Sequence, residues 1–202
     1  MNPTEILKKD FIGINGVGIN QLIHPHFEVW QEYLKNFYKI KNNVKIILFL
    51  PCAAIKPYNN SPIHQVFNEV IDNFEDLQKL VISNAGIIPY EFRGRYPFDS
   101  YDWNPLFENP KIKEVYIKIT SQRIFDFFNN KDLNHQIKYI SYLRNDSESL
   151  KSLDIAFKKI NLNFEIIRVS GKLHKTADAD LLLILKDNLE RLENSIKKAL
   201  GL

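Results

Sequence analysis

The sequence predicts an α/β protein built as a three-layer α/β/α sandwich, in which helices cover both faces of a mostly parallel sheet. Short apolar segments alternate with amphipathic segments along most of the chain, which is typical of strand–helix–strand units. The segment 44–50 is almost wholly apolar and partly β-branched, as expected of a strand buried on both faces. The length of 202 residues is sufficient for one domain with its own core.

Residues 1–43 are predicted to form an N-terminal segment that packs on the core. It has a helix-like start at Pro3 and a glycine-containing turn over 13–18, whose order does not match a dinucleotide-binding loop. His24 and His26 could pair as metal ligands, but no further Cys or His lies at zinc spacing, so a cap at the start of a helix is expected instead. An amphipathic helix is predicted from apolar residues at three- and four-residue spacing, which are Phe27, Trp30, Tyr33, Leu34 and Phe37.

Residues 44–170 are predicted to be the α/β core. After the first strand, a helix is expected to begin at Ser61 or Pro62, because serine is a favoured N-cap and proline is favoured at the first helical position. A helix capped by Asp146 or Ser147 is expected to end at Lys159. The remaining predicted elements are strands at 80–83, 114–119, 137–143 and 164–169, a long connection over 84–110 and a helix at 121–128.

Residues 171–202 are predicted to be a basic loop, 171–175, followed by a C-terminal amphipathic helix. The loop is expected to be a surface linker, with contact to RNA phosphate as the alternative. The helix is predicted to be capped by Asp180 and stopped by Gly201. Its apolar stripe is Leu181, Leu185, Leu189, Leu192, Ile196 and Leu200. The first turn is expected to pack on the sheet, and the later turns are expected to bind a partner chain or a second copy.

Composition sets few limits on function. The 27 basic and 24 acidic residues give a net charge of +3, which neither requires nor excludes a nucleic-acid partner. A single cysteine rules out an internal disulfide and is typical of a reducing compartment. The polar start does not resemble a signal peptide and the apolar runs are too short to span a bilayer, so we expect a cytoplasmic protein without membrane contact.

The connection between the first strand and its helix carries the strongest candidate site. Pro51 cannot donate to a sheet and ends the strand, and the loop that follows presents Cys52 and Lys56. A helix N-terminus and a nearby lysine both favour a reactive thiolate. His64 lies in the first helical turn, where the helix dipole favours a neutral imidazole that can act as a base. The alternative is structural: Cys52 fills space as a small apolar side chain and His64 satisfies backbone groups.

The connection 84–110 is a second candidate, because loops of this length inside a compact domain are usually functional or disordered. Arg93 and Arg95 can bind phosphates, while tyrosine and tryptophan can stack on an unpaired base. Asp102 is the best carboxylate in the loop for orienting a substrate amine. The alternative is that the aromatic residues anchor the loop to the core, and these are Phe98, Tyr101 and Trp103.

The segment 51–64 resembles the Pro-Cys-Ser-x-x-Lys-Pro-Tyr-x-x-Ser-x-x-His signature of archaeosine synthase, the archaeal relative of tRNA-guanine transglycosylase. The matching positions are Pro51, Cys52, Lys56, Pro57, Tyr58, Ser61 and His64. Ala53 departs from the serine that is usual in the family. Weaker similarities follow at 81–91, where Tyr90 replaces an arginine, and at Tyr96-Pro97 followed by Tyr101-Asp102. The resemblance extends over residues 25–165.

The resemblance implies an enzyme that acts on a base already in tRNA. The implied reaction adds an amine, with free lysine as the donor, to the nitrile of 7-cyano-7-deazaguanine, and a radical-SAM partner later cleaves the adduct. The implied fold is similar to that of uracil-DNA glycosylase. Archaeosine synthases are longer and also carry a transglycosylase-like barrel and an RNA-binding module. We therefore expect either a subunit of a split enzyme, with tRNA bound through a separate subunit, or a free-standing relative.

The resemblance also implies roles for individual residues. Cys52 is the expected nucleophile, Lys56 stabilises negative charge or holds a phosphate, and Tyr58 or His64 moves the proton. Asp102 completes the expected catalytic set. The expected substrate-binding residues are Tyr58, Ser61, Ser83, Glu91, Arg93, Arg95, Tyr101 and Trp103. Neither a cofactor nor a metal is expected.

Two other classes of function remain open at the level of sequence. One is a non-catalytic scaffold or RNA-binding subunit of the same complex, in which the Ala53 departure marks lost catalysis. The other is a cysteine-dependent amidotransferase or hydrolase that acts on a small molecule through Cys52 and His64. The presence of Cys52, Lys56 and His64 together argues against the scaffold.

Overall fold

The protein has the α/β architecture that the sequence predicts, with a mostly parallel sheet and helices on both faces. The computed structural model describes residues 2–129, 131, 133, 136–174 and 178–202. The described strands are β1 (Ile46–Pro51), β2 (Leu77–Ser83), β3 (Gly86–Pro89), β4 (Lys138–Ser141) and β5 (Glu165–Ile166). They form a sheet of order β3-β2-β1-β4-β5, in which β3 is antiparallel to β2 and the other neighbours are parallel.

Six α-helices surround this sheet in the part of the chain that the structure describes. They are α1 (Ile19–Leu22), α2 (Pro25–Asn36), α3 (Pro62–Ile71), α4 (Pro110–Asn129), α5 (Glu148–Lys159) and α6 (Lys186–Leu200). Short 3-10 turns occur at Pro3–Glu5, Tyr58–Asn60, Tyr90–Phe92, Pro105–Phe107 and Ala179–Ile184. Helix α4 packs against α2 and α5, whereas α3 packs against α6, so the two groups form the outer layers.

Several helix boundaries follow the local signals in the sequence. His24 is the N-cap of α2, and its Nδ1 accepts a hydrogen bond of 3.2 Å from the backbone N–H of His26. Ser61 precedes α3, with Pro62 at the first helical position. Ser147 Oγ caps α5 by accepting from Leu150 N at 3.2 Å. These contacts satisfy donors that a helix N-terminus otherwise leaves unpaired.

The strand predicted at 114–119 is wrong, because this segment lies inside α4, a helix of 20 residues. Taken alone, the segment 114–119 has the alternation and the β-branched residues that are typical of a strand. Over the longer window, the buried side chains of α4 recur at helical spacing, as Tyr116, Thr120, Ile124 and Phe127 do. The helix predicted at 121–128 is the second half of the same element.

The connection predicted over 84–110 contains a strand that the sequence reading missed. Strand β3 forms a hairpin with β2 through a turn at Asn84 and Ala85. Gly86 has φ of +101°, and a Cβ there would lie 2.6 Å from Gln31 Cδ and 2.8 Å from Arg123 Cδ. Only glycine accepts both the backbone angle and the close approach.

The C-terminal helix begins later than predicted. Residues 179–184 form a 3-10 turn in which Asp178, not Asp180, accepts the capping hydrogen bond, and α6 starts only at Lys186. Gly201 ends α6 in the left-handed region, as predicted, with φ of 78°. Strand β5 is also shorter than the predicted 164–169. The predicted basic loop 171–175 is described to residue 174, and Lys175 lies outside the described residues.

The apolar stripe of α6 is part of the protein's own core. Leu192 and Ile196 are fully buried, and α6 contacts β1 and α3. Leu192 and Ile196 are therefore not available to a partner chain, whereas Leu189 and Leu200 are half-buried. Binding of a partner chain or a second copy by the later turns stays a prediction. Within the described ranges, no helix combines the length and the apolar character that a membrane span requires.

The strand order creates a switch point at the centre of the sheet. From β1 the chain passes through α3 to β2 on one side, and it later returns through α4 to β4 on the other side. The loops that follow the carboxyl ends of β1 and β4 therefore lead to opposite sides of the sheet. Open α/β sheets bind ligands in the crevice at such a point.

Candidate active site

Cys52 is the first residue after β1, at this switch point. Every residue of β1 is buried, whereas Cys52 itself is half-buried. Pro51 ends the strand and the chain turns away from the sheet, which leaves the thiol at the carboxyl edge. The position therefore combines a rigid strand behind the sulfur with partial access to solvent in front of it.

The Cys52 thiol contacts two phenols, and we call these three side chains the thiol–phenol cluster. Sγ lies 3.2 Å from the Tyr101 hydroxyl and 3.5 Å from the Tyr58 hydroxyl, and the two hydroxyl oxygens are 2.9 Å apart. Burial, and then the nearby Cys52 charge, raise the pKa of Tyr58 and of Tyr101 well above 10. Both hydroxyls therefore stay protonated and can donate to a thiolate.

Lys56 covers the cluster from one side. Its ammonium lies 3.9 Å from the centre of the Tyr101 ring and donates to the carbonyl of Ala53 at 3.1 Å. The Cys52 thiol is also 3.6 Å from that carbonyl oxygen. Since Ala53 contributes its main chain to these contacts, an alanine at this position supplies them as well as a serine.

His64 is part of the support of the site and does not contact the thiol. It is fully buried between Tyr58 and Tyr90, with ring centres 5.0 and 5.7 Å away, and its Nε2 donates to the carbonyl of Pro51 at 3.0 Å. Burial, with a smaller contribution from the Lys79 charge, lowers the pKa of His64 to about 4. The ring is neutral at pH 7, as predicted, and it fixes the strand end that precedes Cys52.

The two serines of the predicted site differ in position. Ser61 is buried, and its carbonyl accepts from Gln65 N at 2.9 Å at the start of α3. Ser83 ends β2, accepts from Ala85 N at 3.1 Å and interacts with the Tyr101 side chain. Ser83 therefore links the β2–β3 turn to the thiol–phenol cluster.

The loop that carries Tyr101 is held on two sides. Tyr101 and Trp103 are buried, and Trp103 Nε1 donates to Glu108 at 2.6 Å, so the aromatic residues anchor the loop. On the other side, Asp102 N donates to Asn15 Oδ1 at 2.7 Å and Asp102 O accepts from Gly16 N at 3.2 Å. The Asp102 carboxylate is exposed and makes no hydrogen bond or ion pair with any described residue.

The remaining predicted substrate-binding residues make contacts outside the cluster. Glu91 is exposed and accepts from the Tyr38 hydroxyl at 2.6 Å. Arg93 donates to the Tyr90 carbonyl at 3.0 Å and its guanidinium lies 4.7 Å from the Tyr90 ring centre. Arg95 is exposed, and its side chain has no partner among the described residues.

The sequence reading missed Tyr116, which is buried in α4 near Cys52. Its hydroxyl is 2.8 Å from Ser149 Oγ at the start of α5. Burial is the main cause that raises the pKa of Tyr116, and the Cys52 charge contributes in the same direction. The wrong strand prediction at 114–119 concealed this residue, whereas a helical register would have aligned it with Thr120 and Ile124.

The described side chains include no group of three or more His, Cys, Asp and Glu residues arranged to hold a metal ion. The site instead offers a nucleophile, two protonated hydroxyls and one ammonium. This set can attack an electrophilic carbon, deliver a proton to the atom that gains charge, and balance that charge.

Comparisons with known proteins identify relatives of this chain. A family model described as a domain of unknown function, DUF5591, matches residues 27–181. A protein of Thermoplasma acidophilum is 33% identical over 86 residues, and one of Methanosarcina acetivorans is 36% identical over 62 residues. Both are named archaeosine synthase subunit alpha. The matches cover 42% and 30% of this chain, and 17% and 10% of the two relatives.

One solved structure shares the fold. It is the crystal structure of AF0587, a protein of unknown function, with a TM-score of 0.55 and 17% sequence identity. The alignment covers 83% of this chain and 49% of that chain. At this identity the likeness shows the architecture alone.

Proposed function

Because this chain belongs to the DUF5591 domain family, we propose that it modifies tRNA in the manner of archaeosine synthase. In this proposal it adds an amine, with free lysine as the donor, to the nitrile of 7-cyano-7-deazaguanine in tRNA. It acts in the cytoplasm as a subunit of a larger enzyme. The names of the two relatives support this assignment. The observation that carries the enzymatic role is the contact of the Cys52 thiol with two protonated phenols.

The first proposed step is attack of Cys52 on the nitrile carbon. A C–S bond forms, and the electron pair of one C–N π bond moves to the nitrogen. Tyr101 gives that nitrogen a proton and regains one from Tyr58, whose hydroxyl is 2.9 Å away. Tyr58 takes the proton that leaves the thiol, so the product is a thioimidate and no proton is gained or lost.

The second proposed step transfers the group from sulfur to the amine. The amine nitrogen attacks the thioimidate carbon, and the C–S bond breaks. The proton that the amine loses returns to the sulfur through the same two hydroxyls. The lysine adduct stays on the tRNA, the Cys52 thiol is restored, and a radical-SAM partner acts on the adduct.

The neighbouring residues support this chemistry through charge and position. Lys56 places a positive charge above the Tyr101 ring and stabilises the negative charge that develops on the nitrile nitrogen. His64 positions the end of β1 and the Tyr58 ring, since its Nε2 is bound to Pro51. Roles for the other predicted residues stay predictions, and these residues are Ser61, Ser83, Glu91, Arg93, Arg95, Asp102 and Trp103.

The same geometry weighs against a non-catalytic scaffold. A scaffold does not need a half-buried thiol bound to two buried hydroxyls, because such a cluster replaces apolar packing with polar groups that must be satisfied. Alanine in place of the family's usual serine at position 53 removes no contact of the cluster, since the main-chain carbonyl of Ala53 is the contacting group. We therefore propose that the chain retains the catalytic function.

The test is mass spectrometry of nucleosides from tRNA that carries 7-cyano-7-deazaguanine, after incubation with the protein and free lysine. We expect a nucleoside that gains the mass of lysine. Cys52→Ala is expected to abolish the product. Tyr101→Phe is expected to slow the reaction by 10²-fold or more, because it removes one hydroxyl that donates to developing charge.

The matched control is Tyr33→Phe, which removes a hydroxyl with no hydrogen-bond partner among the described residues. It is expected to retain the activity of the unmodified protein. Full activity in Cys52→Ala would exclude the covalent route. If no adduct forms, even after a tRNA-binding partner subunit is added, the proposed function is wrong.

A further inference from the structure

A groove runs along the open edge of the sheet, between β5 and α6. Its volume is about 490 Å³, and we call it the β5–α6 groove. The polar residues that line it are Glu165, Arg168, Arg191, Asn194, Ser195 and Lys198. Three of these residues are cations and one is an acid, so the groove is positively charged.

Helix α6 separates its charges between two faces. Arg191, Asn194, Ser195 and Lys198 follow the i, i+3, i+4, i+7 pattern, which places four hydrogen-bond donors on the face toward the groove. Two of the three acids of the helix are paired along it: Glu190 with Lys186 at 3.7 Å and Glu193 with Lys197 at 2.7 Å. The third, Asp187, lies one turn before Arg191 and does not line the groove. The groove face therefore keeps its positive charge.

The groove donors are partly fixed and partly free. Arg191 Nη1 donates to the Arg168 carbonyl at 3.0 Å and to Ser170 Oγ at 2.9 Å, which orients the guanidinium and leaves other N–H groups available. The single acid, Glu165, already accepts from Ser195 Oγ at 2.7 Å. The side chains of Arg168 and Lys198 have no partner in the part of the chain that the structure describes.

One end of the groove, at Arg168, lies at the edge of the sheet that carries Cys52. The other end, at Lys198, lies beside the start of β4, because Lys138 Nζ donates to the carbonyl of Ala199 at 2.7 Å. Arg168 follows β5 as Cys52 follows β1, and both strands run parallel with only β4 between them. Since neighbouring strands are about 4.8 Å apart, the two strand ends are separated by roughly 10 Å. An RNA whose base entered the site at Cys52 would therefore bring its phosphates near the Arg168 end of the groove.

We propose that the β5–α6 groove binds the phosphate backbone of the RNA whose base enters the site at Cys52. This inference rests on the proposed function and names the surface that holds the substrate. Guanidinium and ammonium groups recognise phosphate oxygens by charge-assisted hydrogen bonds. The alternative occupant is a strand of a partner protein paired with β5. The cations along this edge disfavour it, because charged side chains discourage strand addition.

The test compares two double variants in a tRNA-binding assay by fluorescence anisotropy. Arg168→Gln with Lys198→Gln removes two charges from the groove. Lys39→Gln with Lys118→Gln removes two exposed charges elsewhere. We expect the groove variant to bind tRNA roughly 10- to 50-fold more weakly at 0.1 M salt, and to reduce the slope of log affinity against log salt by about 1.5. The control variant is expected to retain most of the affinity and the slope.

Equal affinity in the two double variants overturns the inference, and so does a wild-type protein that does not bind tRNA. The result is separable from the proposed chemistry, since binding is measured without lysine or the nitrile base. An adduct that forms at unchanged tRNA affinity supports the chemistry and refutes the groove. Weakened binding in the groove variant alone supports the groove, whether or not the adduct forms.

Discussion

His64 is expected to make the protein sensitive to acid. Burial lowers the pKa of its imidazole from 6.5 to about 4 in the folded protein. Above pH 6.5 the ring is neutral in both states and stability is unaffected. Between pH 6.5 and 4 the unfolded chain binds a proton that the folded chain does not, so the free energy of unfolding decreases as the pH falls.

The magnitude follows from the difference between the two pKa values. One pKa unit corresponds to about 1.4 kcal/mol, so the interval from 6.5 to about 4 corresponds to roughly 3 kcal/mol. The cost arises because a protonated ring would place a charge between Tyr58 and Tyr90 and close to the Lys79 ammonium. Since domains of this kind are stable by only about 5–15 kcal/mol, this loss is measurable.

The assay is urea unfolding followed by circular dichroism at several pH values between 7 and 4. His64→Gln is the test variant, because glutamine retains an N–H donor for the Pro51 carbonyl and does not titrate. It is expected to lose most of the pH dependence in this interval, even if it is less stable at pH 7. His174→Gln, at an exposed position, is the matched control and is expected to retain the dependence. A full pH dependence in His64→Gln would falsify the argument.

Two buried polar contacts outside the site give further predictions. Arg123→Met is expected to lower the free energy of unfolding by about 3 kcal/mol in urea titrations, because it leaves the carbonyls of Leu22 and Asn84 without their donor. A loss below about 1 kcal/mol would show that solvent replaces the guanidinium. Asn188→Ala is expected to cost about 2 kcal/mol by the same measurement, because Asn188 exchanges two hydrogen bonds with the main chain of Ser170. Unchanged stability would contradict that account.

Local signals in the sequence were sufficient for the elements around Cys52. The apolar run 44–50, the stop at Pro51 and the Ser61-Pro62 start each act over a few residues, and the structure follows them. The same kind of local signal failed at 114–119, where packing of α4 against its neighbours determined the conformation of β-branched residues.

The sequence was sufficient to predict only some of the contacts in the thiol–phenol cluster. Cys52 and Tyr58 are close in the chain, whereas Tyr101 reaches the thiol from 49 positions away. That contact depends on the hairpin at Gly86 and on the path of the loop that follows it, neither of which has a strong local pattern. His64 was expected to serve as a base that moves the proton, and this role stays a prediction. Its Nε2 is bound to the Pro51 carbonyl at the strand end, a contact that the sequence did not reveal.

The contacts of Asp102 with Asn15 and Gly16 have a consequence for how the protein is divided in experiments. These two residues lie before α2, far in sequence from any strand, yet they hold one side of the loop that carries Tyr101. A shortened protein that started at Pro25 would keep every strand but would lose the contacts of Asn15 and Gly16 with Asp102. Its loop would keep the bonds of Trp103 to Glu108 and of Trp30 to the Tyr96 carbonyl, but Asp102, the neighbour of Tyr101, would lose both of its main-chain contacts. The phenol would then be held less firmly beside the sulfur.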